Sequence, residues 1–203
     1  MFEIHTDGSC LGNPGVGGWA AIIVDEKKHR EEIYGGEKYT TNNRMELTAA
    51  INALQKVPVG AKIKLFTDSS YLKNAFTNGW MAKWKVNGWK TSTKSPVVNR
   101  DLWQILDDLI AARVVDFNWV KGHAGNFFNE RCDELARGFA TKLQRQESNK
   151  KIYAEPIAPE PERFHEPLPP PPPIIEEPAP IRKPRKKSDT KKSDALQLSL
   201  FDF

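Results

Sequence analysis

Residues 2–9 read Phe2-Glu3-Ile4-His5-Thr6-Asp7-Gly8-Ser9, in which apolar and polar side chains alternate up to Asp7. Alternation with a period of two predicts a β-strand. A closely similar tetrapeptide, Thr67-Asp68-Ser69-Ser70, ends a second predicted strand at residues 63–67. If the two strands are parallel neighbours, each places an aspartate at its carboxyl end, the edge where open α/β sheets carry their sites. The carboxylates of Asp7 and Asp68 are therefore expected to converge.

The patterns around these strands predict an α/β fold. Alternation at Trp19 to Val24 and near Ile33, with Gly-rich and charged turns between, predicts an antiparallel meander with the first strand. A helix follows, with Asn42 or Asn43 as its cap and Pro58 just beyond its end. Further helices are predicted at about residues 70–77, 79–87, 100–112 and 126–144, and a fifth strand at 114–120. These elements predict a mixed five-stranded sheet with helices on both faces.

Composition divides the chain into a domain and a tail. Apolar residues are concentrated before residue 145 of the 203, so we expect one globular domain at residues 1–145. Residues 146–194 are rich in proline and then in lysine and arginine, and they cannot bury enough apolar surface to offset the entropy lost on ordering. They are predicted to be a disordered linker, stiffened locally by polyproline II. Residues 195–203 form an apolar tip that is expected to bind a partner.

Net charge and cysteine content indicate which partners the protein can bind and in which cellular compartment it is expected. The formal net charge of +4 permits binding to a polyanion without requiring it. Cys10 and Cys132 are expected to be free thiols in a reducing cytoplasm, because a domain of this size needs no disulfide and the N-terminus has no signal-peptide pattern. No apolar run approaches the roughly 20 residues that a membrane span requires, so no membrane association is expected.

Two further acids are candidates for the edge that carries Asp7 and Asp68. Glu46 is predicted in the first turn of its helix, on an alanine-rich side that would let the helix approach the sheet. Asp133 is predicted near the start of the last helix, beside its apolar stripe. Carboxylates in a cluster repel unless a cation neutralises them, and hard oxygen ligands favour Mg²⁺ or Mn²⁺ over Zn²⁺. Each acid alone has an ordinary alternative, because Glu46 and Asp133 could simply favour helix N-termini and Asp68 could cap a helix.

Five motifs, in order along the chain, resemble type 1 ribonuclease H. They are residues 6–15 (TDGSCLGNPG), 41–47 (TNNRMEL), 67–69 (TDS), 119–125 (WVKGHAG) and 129–136 (NERCDELA). The resemblance covers about residues 1–145 and implies a ribonuclease H-like fold. It also implies an endonuclease that hydrolyses the RNA strand of an RNA·DNA hybrid, leaving 5′-phosphate and 3′-hydroxyl ends.

The same resemblance implies two Mg²⁺ ions per active site, with Mn²⁺ as a possible substitute. It implies that Asp7 bridges both ions, that Glu46 and Asp68 complete one, and that Asp133 completes the ion that activates water. His123 lies in a glycine-flanked loop, and the resemblance assigns it to orienting water or to product release. Without the resemblance, His123 would be interpreted as a surface histidine in a turn.

Substrate contacts follow from the resemblance as well. Contacts to the 2′-hydroxyls and the minor groove are implied for loop and helix-start positions, namely Cys10, Gly12, Asn13, Asn42, Asn43 and Glu46. A phosphate pocket for the DNA strand is implied for Thr41 and Asn99. A basic protrusion that grips the DNA strand is implied for Trp80, Lys83, Trp84, Lys85 and Lys90, although tryptophans and lysines on one helix are often packing with a solvated face. Ser70 stands where many relatives carry glutamine, which puts one base-edge hydrogen bond in doubt.

The tip contains Gln-Leu-Ser-Leu-Phe at residues 197–201. It resembles the pentapeptide by which many bacterial replication and repair proteins bind the sliding clamp, which implies Gln197, Leu198, Leu200 and Phe201 as clamp contacts. The ordinary alternative is a random apolar end of a disordered tail.

Other functions share this fold. A DNA-processing nuclease would lack the 2′-hydroxyl-reading motifs at residues 10–13 and 42–46, and an inactive hybrid-binding module usually loses one or more carboxylates, all four of which are present here. A reverse-transcriptase fragment would carry polymerase sequence ahead of Thr6, where only five residues stand. The expectation is therefore a stand-alone, monomeric ribonuclease H.

Overall fold

The computed structural model describes residues 1–122 and 124–153. All of the predicted strands and helices are present in this part. In chain order they are β1 (Phe2–Gly12), β2 (Gly15–Val24), β3 (Arg30–Thr40), α1 (Asn42–Lys56), β4 (Lys62–Thr67), α2 (Ser70–Thr77), α3 (Trp80–Val86), α4 (Arg100–Ala111), β5 (Val114–Trp119) and α5 (Phe127–Tyr153). No helix among the described residues is long and apolar enough to cross a membrane.

The five strands form one mixed sheet in the order β3-β2-β1-β4-β5. β2 pairs antiparallel with both β1 and β3, which confirms the predicted meander. β4 pairs parallel with both β1 and β5. In the β1–β4 register Thr6 lies opposite Thr67, so Asp7 and Asp68 follow a matched pair of residues. The predicted pairing of the two aspartate-bearing strands is confirmed.

Helices cover both faces of the sheet, as predicted, and each face has its own core. One core joins strand residues such as Ile4 and Leu65 to buried side chains of α1, α2, α3 and α4. The other joins Ala20, Ile22 and Val24 of β2 to Cys132 and Ala136 of α5. Because β2 is buried from both sides, it reads as an apolar run in its second half rather than as an alternating strand.

Two glycines determine how closely the helices approach the sheet. A Cβ on Gly8 of β1 would lie 2.3 Å from the backbone nitrogen of Glu46, and a Cβ on Gly18 of β2 would lie 2.1 Å from the carbonyl oxygen of Ala136. Both contacts are with helix backbone, which has little freedom to move aside. The alanines on the facing side of α1, predicted to permit a close approach, are fully buried.

Three local predictions need correction. Helix α1 is capped by Thr41, whose extended backbone lets its side chain accept a hydrogen bond from the Arg44 N–H, and not by Asn42 or Asn43. β1 continues to Gly12, so the positions predicted as a loop at residues 10–12 are paired with β2 in an antiparallel ladder. Helix α5 continues past residue 144 to Tyr153.

Candidate active site

Asp7 is the buried centre of the site. Asp7 is the first residue of β1 after the segment that pairs with β4, and it is only 8% exposed. The Gly8 N–H donates a 2.7 Å hydrogen bond to Asp7 Oδ1. Burial raises the pKa of Asp7 to about 8, and the negative charge of Asp68 adds to the rise, with smaller contributions from Asp133 and Glu46. The charges of all three other predicted acids therefore act on Asp7, as expected for carboxylates brought to one edge.

Glu46 lies in α1, where Gly8 lets the helix contact β1. Since α1 begins at Asn42, Glu46 is beyond the first turn, which corrects its predicted place. The Asn42 amide donates to Glu46 Oε1 at 2.9 Å, and the Ser69 hydroxyl donates to Oε2. Burial raises the pKa of Glu46 to about 7, with the Ser69 hydrogen bond opposing the rise.

Ser69, which no prediction assigned a role, joins two elements of the site. Its hydroxyl oxygen accepts a 3.1 Å hydrogen bond from the Leu72 N–H and so caps α2. The same hydroxyl donates to Glu46. The cap of α2 is therefore Ser69 and not Asp68, which removes the ordinary structural explanation for that aspartate.

Asp68 directly follows β4, and it accepts hydrogen bonds from two residues in the C-terminal part of the domain. The Asn129 amide donates to Asp68 Oδ2 at 3.1 Å. The Trp119 indole N–H donates to the Asp68 backbone carbonyl at 3.1 Å. A Cβ on Gly122 would lie 2.6 Å from Asp68 Oδ2, so a larger residue there would push this carboxylate aside.

Asp133 lies on α5 and forms an ion pair with Arg137, one turn later on the same helix. The Asp133 side chain is 14% exposed, so it is largely buried. The acid in the first turn of α5 is Glu130, so Asp133, like Glu46, is beyond the reach of a helix N-terminus. The helix-dipole alternative therefore explains neither residue.

The four acids are candidate ligands of a divalent cation. Among residues 1–122 and 124–153, no group of three or more His, Cys, Asp or Glu side chains is arranged so that it could hold a metal ion. Protein donors occupy Glu46, Asp68 and Asp133 instead. The donor chemistry nevertheless fits a hard cation, because carboxylate oxygens are its preferred ligands and a cation would relieve the repulsion that raises the pKa of Asp7.

The raised pKa values predict how stability depends on pH. The pKa of Asp7 rises from 3.8 to about 8 and that of Glu46 from 4.5 to about 7, so the folded state binds more protons than the unfolded state between these limits. In EDTA, the free energy of unfolding should therefore fall as the pH rises from about 4 to about 8. Urea titrations at several pH values measure the free energy of unfolding of wild type and Asp7→Asn. In the variant, the free energy of unfolding should fall much less between pH 4 and pH 8. An equal fall in both proteins would contradict the raised pKa of Asp7.

The tip of the β1–β2 hairpin meets the start of α1. Asn13 Oδ1 accepts a 3.2 Å hydrogen bond from the Asn42 N–H, and Cys10 Sγ donates to the Thr40 carbonyl at 3.4 Å. The predicted minor-groove contacts of the hairpin and of α1 are thus brought together on one surface next to Glu46. Gly12 adopts a positive φ of 96°, which the turn requires and which other residues rarely adopt.

Arg44 links the two predicted residues of the phosphate pocket. Its backbone N–H donates to the Thr41 hydroxyl, and its guanidinium donates to Asn99 Oδ1 at 3.5 Å. The same guanidinium forms a paired hydrogen bond with Asp101, at 3.1 and 2.9 Å. The Arg44 side chain thus connects the start of α1 to the start of α4. Arg44 lies inside the motif at residues 41–47, but no local pattern around it indicates this linking role.

The residues of the predicted basic protrusion have different surroundings: the tryptophans pack on the core, and the lysines lie at the surface. Trp84 contacts Trp80 and Trp103, at ring-centre distances of 6.0 and 5.5 Å, so the tryptophans anchor α3 on the core. Lys85 forms an ion pair with Asp107 at 2.8 Å, so its charge is already partly neutralised, and its predicted contact with the DNA strand stays a prediction. Within the described residues, Lys83 and Lys90 are exposed and take part in no ion pair.

These different surroundings predict a difference in the salt dependence of hybrid binding. Each phosphate neutralised contributes about 0.9 to the slope of log K against log salt concentration. Replacing Lys83 and Lys90 by Ala should lower that slope by about 2, whereas Lys85→Ala, the matched control, should lower it by less because Asp107 already neutralises Lys85. Fluorescence anisotropy without divalent cation measures binding alone. Equal slopes for all variants and wild type would show that these lysines form a solvent-exposed surface that contacts no phosphate.

Several predicted site residues lie outside the described part of the chain. His123 falls in the gap between residues 122 and 124, and Gln197, Leu198, Leu200 and Phe201 fall beyond residue 153. Their predicted roles therefore stay predictions.

Comparison with known proteins gives a consistent result. The family profile described as RNase H matches residues 1–141. The Ribonuclease H of Francisella tularensis subsp. novicida is 55% identical over 139 residues, which are 68% of this chain and 90% of that protein. The Ribonuclease H of Bartonella bacilliformis is 51% identical over 144 residues, 71% of this chain and 92% of that protein.

Solved structures share the fold. LC9-RNase H1, described as a type 1 RNase H with the type 2 active-site motif, is 30% identical with a TM-score of 0.62, and the match covers 70% of this chain and 72% of that one. LC11-RNase H1 in complex with RNA/DNA hybrid is 24% identical with a TM-score of 0.55, covering 71% of this chain and 99% of that one, and its likeness shows the fold.

Proposed function

Because this chain belongs to the RNase H family and is a ribonuclease H, we propose that it hydrolyses the RNA strand of RNA·DNA hybrids, leaving 5′-phosphate and 3′-hydroxyl ends. The observation that carries this proposal is the cluster around Asp7, whose pKa is raised first by burial and then by the charges of Asp68, Asp133 and Glu46. Negative charges placed around a buried carboxylate destabilise the folded state, so stability does not explain why three further acids lie close to Asp7. Relatives named Ribonuclease H at 51% and 55% identity support the choice of substrate.

The RNase H family generally uses divalent metal ions, and we propose that this protein uses two Mg²⁺ ions, with Mn²⁺ as a substitute. The residues that would hold them are Asp7, Glu46, Asp68 and Asp133. Divalent cations bound there would stabilise the attacking water and the departing 3′ oxygen. The protein's contribution is to hold the carboxylates in place through the hydrogen bonds from Ser69 and Asn129.

Recognition of the hybrid is proposed for two surfaces beside this cluster. The joined tip of the hairpin and start of α1, with Cys10, Gly12, Asn13, Asn42 and Asn43, would contact the RNA strand, whose 2′-hydroxyls distinguish it from DNA. The Arg44-linked residues Thr41 and Asn99 would bind a phosphate of the DNA strand. His123 is proposed to orient water or to help product leave.

A cleavage assay on four substrates tests the proposal. Labelled RNA·DNA hybrid, duplex RNA, duplex DNA and single-stranded RNA are incubated with the full-length protein and Mg²⁺, and the product ends are identified. We expect cleavage of the hybrid in its RNA strand only. Cleavage of duplex DNA would favour a DNA-processing nuclease, and hybrid binding without cleavage would favour an inactive binding module; either result contradicts the proposal.

We propose further that the predicted linker at residues 146–194, of which residues 146–153 continue helix α5, tethers the domain to a tip at 195–203 that binds the sliding clamp. Support comes from the sequence: Gln197 offers a directional amide, while Leu198, Leu200 and Phe201 offer apolar anchors. Calorimetry of a peptide of residues 189–203 with the clamp tests it. We expect an affinity on the order of micromolar, lost when Leu200 and Phe201 are both alanine. Equal binding of both peptides, or binding of neither, would contradict the tether.

The protein is also proposed to act as a monomer in the cytoplasm. Cys10 and Cys132 are both free, as expected in a reducing compartment. Light scattering at assay concentration tests the oligomeric state, and cell fractionation tests the compartment.

A further inference from the structure

Asn129 is a buried polar residue that contacts the active site without being one of its acids. It lies in the first turn of α5 and is 2% exposed. Its Nδ2 donates a 3.1 Å hydrogen bond to Asp68 Oδ2, which joins α5 to the end of β4. An amide donor is neutral, so it orients a carboxylate without cancelling the charge that a cation would need.

The other end of the same amide is not satisfied. Asn129 Oδ1 is buried and accepts no hydrogen bond from the described residues. A buried acceptor without a partner destabilises the folded state, whereas an apolar side chain of the same shape would not. Stability therefore does not explain an asparagine at this position, and its hydrogen bond to Asp68 is the one interaction that an apolar residue could not replace.

The other contacts of Asp68 do not fix the orientation of its carboxylate. Trp119 holds the backbone carbonyl of Asp68, and Gly122 leaves space beside Oδ2. Neither contact determines how the carboxylate is rotated about its own bond. Among the described residues, Asn129 supplies the one side-chain hydrogen bond to the Asp68 carboxylate.

We propose that Asn129 is a positioning residue, which holds the Asp68 carboxylate in the orientation that catalysis and cation binding require. The inference rests on the proposed function, since it concerns the same site. Asn129 is buried below the surface that would meet a nucleic acid, so it acts on the rate and on the cation and not on the affinity for substrate.

The experiment compares Asn129→Leu with Asn126→Ala. Leucine has the same branched arrangement of side-chain heavy atoms as asparagine, in a bulkier form, and it removes both the hydrogen bond and the unsatisfied oxygen. Asn126 Oδ1 accepts a 3.1 Å hydrogen bond from the Asn129 N–H, so Asn126→Ala loosens the same helix start while leaving the Asn129 side chain unchanged. For each protein we would measure kcat and KM on the hybrid, Mg²⁺ affinity by calorimetry without substrate, and Tm in EDTA.

For Asn129→Leu we expect kcat to fall by roughly 10- to 100-fold and Mg²⁺ affinity by about tenfold, with KM and Tm close to wild type. For Asn126→Ala we expect a lower Tm with kcat close to wild type. If Asn129→Leu does not fold, Asn129→Ala takes its place, because it removes atoms without adding any.

Two results would overturn the inference. In the first, kcat and Mg²⁺ affinity of the Asn129 variant match the wild type. In the second, both variants lose activity in proportion to a shared loss of Tm, which would make Asn129 merely structural. If the wild type itself does not cut the hybrid, the proposed function fails, and the Mg²⁺ titration still tests the positioning of Asp68.

Discussion

Asp7→Asn is expected to reduce hybrid hydrolysis by roughly 10³-fold or more while the protein stays folded. Bound cations stabilise the transition state by several kcal/mol, and about 4 kcal/mol corresponds to a factor of 10³ in rate. Asparagine keeps the shape of aspartate and can still accept the hydrogen bond from the Gly8 N–H. It removes one negative charge from the centre of the cluster, where the other acids act on it. A single-turnover assay with saturating enzyme measures the loss.

The same substitution is expected to stabilise the apo protein at pH 8. The pKa of Asp7 is raised from 3.8 to about 8, so its ionisation opposes folding above pH 4. Each pKa unit corresponds to about 1.4 kcal/mol, so relief of only two units would add ~3 kcal/mol to the free energy of unfolding. Asp116→Asn, the same change on the exposed edge strand β5, is the matched control and should leave activity and stability near wild type. Retained hydrolysis in Asp7→Asn would contradict the metal assignment.

Gly8→Ala is expected to damage both the fold and the active site, although it adds a single methyl group. The added Cβ would lie 2.3 Å from the Glu46 nitrogen and 2.4 Å from the Met45 carbonyl carbon, so helix α1 would have to move away from β1. Forcing extra atoms into a packed site costs about 1–3 kcal/mol, and more where only backbone can yield, so we expect a loss of ~3 kcal/mol or more. The loss should lower Tm by roughly 10 °C, measured by circular dichroism.

Activity should fall as well, because Glu46 moves with the helix. A displacement of about 1 Å can reduce the rate roughly 100-fold, and we expect a loss of that order at a temperature where the variant is folded. Gly138→Ala is the matched control. Gly138 is an exposed glycine in α5 with nothing within 4 Å of its Cβ position, so alanine should stabilise the helix by about 0.5–1 kcal/mol. Similar Tm values for the two variants would contradict the close approach of α1.

The sequence was sufficient to predict the sheet and its acid-bearing edge. Period-two alternation predicted β1, a second strand was predicted at residues 63–67, and the similar tetrapeptides at the ends of the two strands implied that Asp7 and Asp68 converge. The parallel register that places Thr6 opposite Thr67 confirms this. Such features are predictable because strand periodicity and strand-end chemistry are local properties of the chain.

Side chains that support the acids could not be predicted in the same way. Asn129 reaches Asp68 across 61 positions of sequence, and Ser69 reaches Glu46 across 23. A hydrogen bond requires its two atoms to lie within about 3 Å with the correct angle, and that geometry is set by how α1 and α5 pack on the sheet. The motif at residues 129–136 could have drawn attention to Asn129, but nothing local to it indicates Asp68 as its partner.

The tertiary structure also determines which of several similar neighbouring residues makes a given contact. Thr41, Asn42 and Asn43 can each cap a helix, and the extended backbone of Thr41 selects it. Lys83 and Lys85 are alike in sequence, yet only Lys85 lies beside Asp107 of α4. The sequence by itself determined the element types, their order and the identity of the acids, because these depend on residue type and spacing along the chain. Which donor holds which acid, which lysine is neutralised and how close Gly8 brings α1 to β1 depend on distances across the packed core, which only the folded chain defines.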